Sequence, residues 1–268
     1  HALYKIGVDA LIIQDLRLLD FDLPPIRLHA STQCDNRTAE DVIRLQQLGF
    51  KRVVLARELS IQEISDIHRA VAVYSTENKE EPIELAVFVH GALCVSYSGK
   101  CFISEVLSGR SANRGACSQY CRMAYDLLDA NMQEVVDDDG KAIHQRYLLS
   151  LQDMDRSASL AELIEAGVST LKIEGRLKDA DYVTNVTAYY RELLDAMFPH
   201  TEHFYRRTFS PNPEKTFHRG GIDYFLHGRT PHMANWETPK STGEYIGEII
   251  GIQGNRLHVR LQEGIELH

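Results

Sequence analysis

The 268-residue chain lacks an initiator methionine, and it lacks any apolar run near the ~20 residues that a membrane span needs. Its start, HALYKIGVDALIIQD, has neither the basic region nor the cleavage pattern of a secretory leader. Together these absences point to a cytoplasmic, non-membrane protein and to a sequence that begins inside a longer chain. No G-x-G-x-x-G and no Walker A sequence occurs, so the common nucleotide cradles are missing. No G-x-S-x-G elbow and no H-E-x-x-H pair occurs either, which leaves serine hydrolase and zinc protease readings without their motifs. There is no low-complexity tract and no fixed-period repeat beyond a strand–helix alternation. With a net charge of −9 the chain also lacks the positive excess of a protein that coats nucleic acid indiscriminately.

What is present is concentrated. Hydrophobic content of 44% and charged content of 25% are those of an ordinary globular protein with a sizeable core. Of five cysteines, four fall between Cys94 and Cys121, spaced C-x6-C-x15-C-x3-C. Without a leader, clustered cysteines read as metal-binding or catalytic more readily than as disulfides. The spacing matches neither the paired C-x2-C of a zinc ribbon nor a ferredoxin run. It therefore leaves open an iron–sulfur cluster, zinc, buried or free thiols, and disulfides. A single nucleophilic cysteine is the competing chemistry, with His90 four residues before Cys94 as its base. Cys34 reads as a buried small residue or as a fifth, substrate-side thiol.

The loop is also basic. From Cys94 to Tyr125, Lys100, Arg110, Arg114 and Arg122 stand against Glu105 alone, four cations minus one anion, or +3. Arginine forks suit carboxylates and phosphates. With Tyr97 and Tyr120 interleaved, they could hold a strand of RNA by phosphate pairing and base stacking.

The first 200 residues repeat short apolar runs and helical patterns. Strands are expected at 7–14, 26–30, 52–56, 83–89 and 169–173, with helices at 39–48, from Ser60 onward, at 159–166 and at 179–197. Thr38 reads as an N-cap, and Ser60 with Glu63 as a capping box. A hairpin is expected around 137–140, with 124–129 and 146–150 paired across it. Alternation of this kind argues for a parallel sheet, open or barrelled. Polar residues collect just past the strand ends: Gln14, Asp15, Gln33, Arg57, Glu58, His90, Glu174 and Arg176. That is the edge where such sheets place active sites. The expected division is a catalytic domain at 1–198 carrying the cysteine-rich loop 90–122, a linker with a Gly- and aromatic-rich segment at 199–242, and the start of a small β-barrel at 243–268.

Longer motifs carry a resemblance. FVHGALC at 88–94, GKCFIS at 99–104, GRSANRG at 109–115 with Cys117, SLQD at 150–153, KIEGR at 172–176, Arg219-Gly220 and Asp223-Tyr224-Phe225 resemble the signature of the peptidase U32, or collagenase-like, family. The combination looks most like the branch that hydroxylates a cytidine of 23S ribosomal RNA to 5-hydroxycytidine, whose relatives modify transfer RNA and ubiquinone precursors. The resemblance implies a partial TIM-barrel-like α/β domain lacking its first units, followed by a small, incomplete β domain. It implies a cluster, 4Fe–4S by preference, on Cys94, Cys101, Cys117 and Cys121, with prephenate as the hydroxyl source and RNA as partner. His90, Glu58, Glu174 and Arg176 are then candidate catalytic residues, and Arg110, Asn113, Arg114 and Gln33 candidate substrate ligands. The family name implies a peptidase as the alternative, and a non-catalytic RNA- or partner-binding subunit is a second one. The family glutamate two residues before the Phe is here Ala86, with Glu84 or Glu58 as possible replacements.

Overall fold

The computed structural model describes residues 1–199 and 208–263. Residues 200–207 of the expected linker and 264–268 of the expected β domain lie outside that range. Along the described residues the elements are α1 (Ala2–Lys5), β1 (Ala10–Ile13), β2 (Arg27–Ala30), α2 (Ala39–Gln47), β3 (Arg52–Val54), α3 (Ile61–Asn78) and β4 (Glu84–Gly91). They continue as α4 (Ile103–Ser108), β5 (Asp153–Asp155), α5 (Leu160–Glu165), β6 (Val168–Ile173), α6 (Ala180–Met197), β7 (Gly221–Ile222), β8 (Gly247–Gln253) and β9 (Arg256–Leu261).

Local chemistry starts the helices where the sequence predicts. The Thr38 hydroxyl accepts from the Asp41 amide, and the Ser60 hydroxyl from the Glu63 amide, each completing a capping box with the carboxylate three residues on. Asp179 caps α6 by accepting from the Tyr182 amide at 2.8 Å. Each cap satisfies amides that the first helical turn leaves unpaired, worth about 1 kcal/mol.

β4 is the centre of the sheet. It pairs in parallel with β3 on one side and β6 on the other, and β1-β2-β3 continue the parallel order. Its alternate residues feed two cores, which explains its unbroken apolar run. Leu85, Val87 and Val89 enter the larger core with residues of α2, α3, α5 and α6. Ala86 and Phe88 enter a smaller one with Val54, Leu93, Leu151, Met154 and Tyr224.

The fold is thus α/β with a mainly parallel sheet. No barrel closes among the described residues, so the expected barrel-like character is not established by the sheet. No ladder joins β1 to β6 among the described residues, and the sheet stays open. Past the end of β3 the free edge of β4 is taken by β5, antiparallel, with His90 opposite Asp155 and Gly91 opposite Met154, and β7 pairs with β5. β8 and β9 form their own antiparallel pair around a turn at Gly254-Asn255. Residues 125–146 form a meander held by isolated bridges, Tyr125 to Arg146, Leu128 to Glu134 and Val136 to Ala142. The segment expected at 124–129 therefore pairs with two later stretches, and of 146–150 only Arg146 joins the ladder.

Arg156 fastens the β4 end to its neighbours. Its side chain is 1% exposed and donates to the carbonyls of Arg57 (2.8 Å), Asp223 (3.1 Å) and Phe88 (3.2 Å). Burial lowers its pKa to about 10, and the three carbonyls satisfy a guanidinium that otherwise could not be buried.

Candidate active site at the thiol loop

The chain leaves β4 through Gly91, whose φ of +102° and crowding explain the glycine. A Cβ there would stand 2.3 Å from the Glu174 carbonyl oxygen and 3.0 Å from the Tyr182 hydroxyl. The loop that follows carries the thiols and is more ordered than the sequence implies. It contains α4 and two short 3-10 turns, Ala112–Arg114 and Tyr120–Arg122.

All five cysteines are free thiols. Burial raises the pKa of Cys101, and the charges of Cys94 and Cys117 raise it further, while the amides of Ile103 and Ser104 pull it down. Burial likewise raises Cys121, opposed by Arg122 and reinforced by Cys94, Cys117 and Cys101. Cys101 and Cys121 thus feel the charge of the other loop thiols. Among the described residues no group of three or more His, Cys, Asp or Glu side chains is placed to hold a metal ion. Cys34 is separate. Its Sγ points to the carbonyls of Gln14 (3.3 Å) and Ile13 (3.6 Å) and packs on the main core, and burial raises its pKa.

Arg122 is the keystone of the loop. It donates to Leu93 O (2.7 Å), Ser150 Oγ (2.8 Å) and Leu151 O, so the residue before Cys94 and the residue after Cys121 are tied together. Burial lowers its pKa, with Arg219 acting in the same direction. Beside it, Arg219 grips Asp153 through Nη2 (2.6 Å) and Nε (3.0 Å), both side chains 7% exposed. Lys178 completes the group, with Nζ 2.9 Å from the Phe217 ring centroid and 5.5 Å from that of Tyr182. Burial pushes its ammonium down to about 8, against the pull of Asp153. Three cations thus share the buried Asp153, while Asp179 reaches Lys178 from its helix cap. A surplus of positive charge in partly dry surroundings is a place for a small anion.

The residues singled out by sequence fall into two groups. Glu174, Arg176, Arg110, Asn113 and Arg114 gather around the thiol loop. Arg176 donates to Gly115 O (3.0 Å), Arg110 to Cys117 O (3.4 Å), and Asn113 Oδ1 accepts from the Cys101 amide (3.3 Å). The Glu174 carboxylate accepts from the Arg176 amide (2.8 Å), shaping the turn. The Arg114 side chain is exposed and acts on Asp15.

His90, Glu58 and Gln33 are occupied differently from the sequence reading. The β4–β6 ladder shifts register between Phe88 and His90, and the His90 ring meets Tyr190 edge-on at 5.5 Å. Its Nδ1 is 3.3 Å from the Tyr190 hydroxyl, and burial lowers its pKa despite Asp155 and Asp153. That ring is engaged with α6, so its nearness to Cys94 in sequence does not make a nucleophile–base pair. Glu58 has both oxygens committed, accepting from Ser98 N (2.9 Å) and Ser98 Oγ (3.0 Å) and pairing with Arg37 (3.0 Å). It pins the loop between Cys94 and Cys101 to the end of β3, and is a positioning residue. Gln33 contributes its backbone, since a Cβ on Gly99 would lie 2.6 Å from its carbonyl oxygen. Glu84 pairs with Arg52 at the far end of β4, and Ala86 is packed in apolar surroundings. Neither Glu84 nor Glu58 replaces a carboxylate at position 86.

Sequence reasoning singled out neither Lys178 nor the Asp153–Arg219 pair as functional. Asp153 and Arg219 lie inside quoted motifs, which was a usable signal. Lys178, one residue before a helix cap, gave none.

The profile of peptidase family U32 matches residues 1–235. The 23S rRNA 5-hydroxycytidine C2501 synthase of Escherichia coli (strain K12) is 46% identical over 97% of this chain and 38% of its own length. The tRNA hydroxylation protein P1 of Bacillus subtilis (strain 168) is 32% identical over 96% of this chain and 59% of its own. A collagenase of Porphyromonas gingivalis (strain ATCC BAA-308 / W83) is 33% identical over 73% of this chain and 46% of its own. The chain therefore spans roughly two fifths to three fifths of these curated relatives. No solved structure matches it.

Proposed function

Since this chain belongs to peptidase family U32, we propose that it is part of an RNA-modifying hydroxylase that forms 5-hydroxycytidine in 23S ribosomal RNA. The single observation that carries this reading is the loop itself: four free thiols on one segment, which Arg122 ties to Leu93 and Leu151, beside Arg219 and Lys178. The likeness to a synthase of that modification and to transfer RNA hydroxylation proteins agrees with it. A ribosomal RNA substrate places the work in the cytoplasm. Among the described residues no helix is long and apolar enough to cross a membrane.

Cys94, Cys101, Cys117 and Cys121 would hold a 4Fe–4S cluster, and the donor chemistry fits, since none of these thiols is consumed in a disulfide. When bound, such a cluster supplies one-electron chemistry next to the substrate. Arg122 holds the first and last ligand segments together and offsets thiolate charge. Lys178 and Arg219 receive and orient an anionic cosubstrate, for which prephenate, carrying the hydroxyl, is our proposal. Asp153 keeps Arg219 aimed, and the Phe217 ring limits water around Lys178. Arg110 and Arg114 face the RNA backbone from the open side of the loop. We also read β1-β2-β3-β4-β6, ordered as in the sequence, as an arc of a barrel, with β8–β9 opening a separate β domain.

The peptidase alternative gains no support from this geometry, because His90 is engaged by Tyr190. The deciding experiment uses the full-length protein. It is purified without oxygen, assayed for iron and sulfide, and used to complement a deletion strain whose ribosomal RNA is analysed by mass spectrometry. Restored 5-hydroxycytidine that is lost with Cys94→Ser supports the proposal. An iron-free protein and unchanged RNA would overturn it.

A further inference from the structure

On the other flank of the thiol loop lies a cleft of about 490 Å³, within the size range of small-ligand sites. Its walls include Arg37, Glu58, Glu63, Tyr97, Phe225 and Arg229. Tyr97 sits between Cys94 and Cys101, so the cleft and the thiol site share one wall. The Arg37 guanidinium covers the Tyr97 ring at 4.5 Å, and Tyr97 remains 45% exposed. Arg229 donates to the Tyr97 hydroxyl at 3.0 Å and lies over the Phe225 ring at 5.1 Å. Phe225 in turn stacks on the buried Tyr224, centroids 4.0 Å apart and planes 11° from parallel.

The charges in the cleft are mostly spent. Arg37 lies between Asp35 and Glu58, and Glu63 caps Ser60. Among the described residues, Arg229 is the cation of this cleft with no carboxylate partner. One free guanidinium, held by a tyrosine hydroxyl beside aromatic faces, matches a nucleotide. The base has a π-face for the side of Tyr97 that Arg37 leaves open, and the phosphate has oxygens for the fork. An acidic peptide would want more than one free cation and has no use for the ring faces.

We propose that this cleft holds an unpaired nucleotide of the RNA that flanks the one being modified, its base stacked on the open face of Tyr97 and its phosphate on Arg229. The inference rests on the RNA reading above and adds a site that positions the strand across the thiol loop. Tyr97 then gains a second role. It links strand binding to the loop that carries Cys94 and Cys101.

The test is equilibrium binding of a fluorescent single-stranded RNA covering the modified loop to full-length protein, at two salt concentrations. Variants Tyr97→Leu, Tyr97→Phe and Arg229→Gln are compared with wild type. Tyr97→Leu is expected to weaken binding roughly tenfold, and Tyr97→Phe, which keeps the ring, less than threefold. Arg229→Gln should weaken binding and reduce the salt slope by about 0.7, the signature of one lost phosphate contact on a single strand. Equal iron content in all proteins checks that the fold is intact. Wild-type affinity in both Tyr97→Leu and Arg229→Gln would overturn the cleft assignment even if the enzyme modifies RNA normally. So would polyglutamate competing as strongly as RNA. Failure of wild type to bind RNA would overturn the assignment and the proposed function together. Binding with the predicted variant pattern but without modification would uphold the cleft and reject the hydroxylase reading.

Discussion

Replacing Glu58 separates a clamp from a catalyst. Its carboxylate holds Ser98 by two hydrogen bonds, 2.9 and 3.0 Å, and Arg37 by a 3.0 Å ion pair, with the Glu58 side chain only 5% exposed. Charge-assisted hydrogen bonds contribute about 1.5–3 kcal/mol each, and they do not add fully in a network. Arg37 keeps Asp35 when Glu58 is removed, but the Ser98 amide loses its acceptor. Glu58→Ala should therefore cost about 3–4 kcal/mol of loop docking, comparable to breaking a buried pair. That free energy corresponds to a loss of roughly 100- to 1000-fold in hydrogen-exchange protection of the Ser98 amide. Glu58→Gln keeps an oxygen for Ser98 and should lose far less. The assay is amide exchange on the full-length protein, read beside iron content and RNA modification. A catalytic Glu58 would behave oppositely: Gln would abolish modification while Ser98 protection stayed at the wild-type level. That result would refute the positioning role.

Other consequences follow from the same geometry. Single Cys→Ser changes at 94, 101, 117 or 121 should each remove most of the iron of anaerobically purified protein, whereas Cys34→Ser, whose thiol points to backbone carbonyls, should retain it. Gly91→Ala forces a Cβ to 2.3 Å from the Glu174 carbonyl oxygen at a φ of +102°, so a loss of about 3 kcal/mol or more is expected. A melting temperature within a degree of wild type would contradict that. Lys178, with its pKa lowered to about 8, should react with amine-directed reagents with a midpoint near pH 8, resolved from other lysines by peptide mass spectrometry. Its folded pKa lies below the ordinary value of 10.5, so the unfolded chain holds the proton more tightly between those limits. Stability should consequently rise with pH across that window in wild type and less steeply in Lys178→Met.

Much of the local structure was legible in the chain. Thr38 with Asp41 and Ser60 with Glu63 announce helix starts because the caps satisfy amides within three residues. The run from Ile83 to Val89 announces a central strand because both of its faces are buried. The clustering of Cys94, Cys101, Cys117 and Cys121, and the basic character of their loop, were likewise plain, since all four lie on one short segment. The roles of Glu58 and His90 were not legible. Position past a strand end shows which residues share an edge, but not whether a side chain is free. Glu58 meets Ser98, forty residues on, and His90 meets Tyr190, a hundred residues on.

The sequence by itself determined the α/β alternation, the starts of α2, α3 and α6 and the thiol-bearing loop, because each rests on contacts or periodicities within a few residues. Only the tertiary structure decided that the sheet stays open, that Asp153 and Arg219 pair across 66 positions, and that Lys178 stands among ring faces beside them. Those features depend on which distant segments share a dry volume. There, a carboxylate or ammonium owes its charge state and its partners to the surroundings that folding assembles.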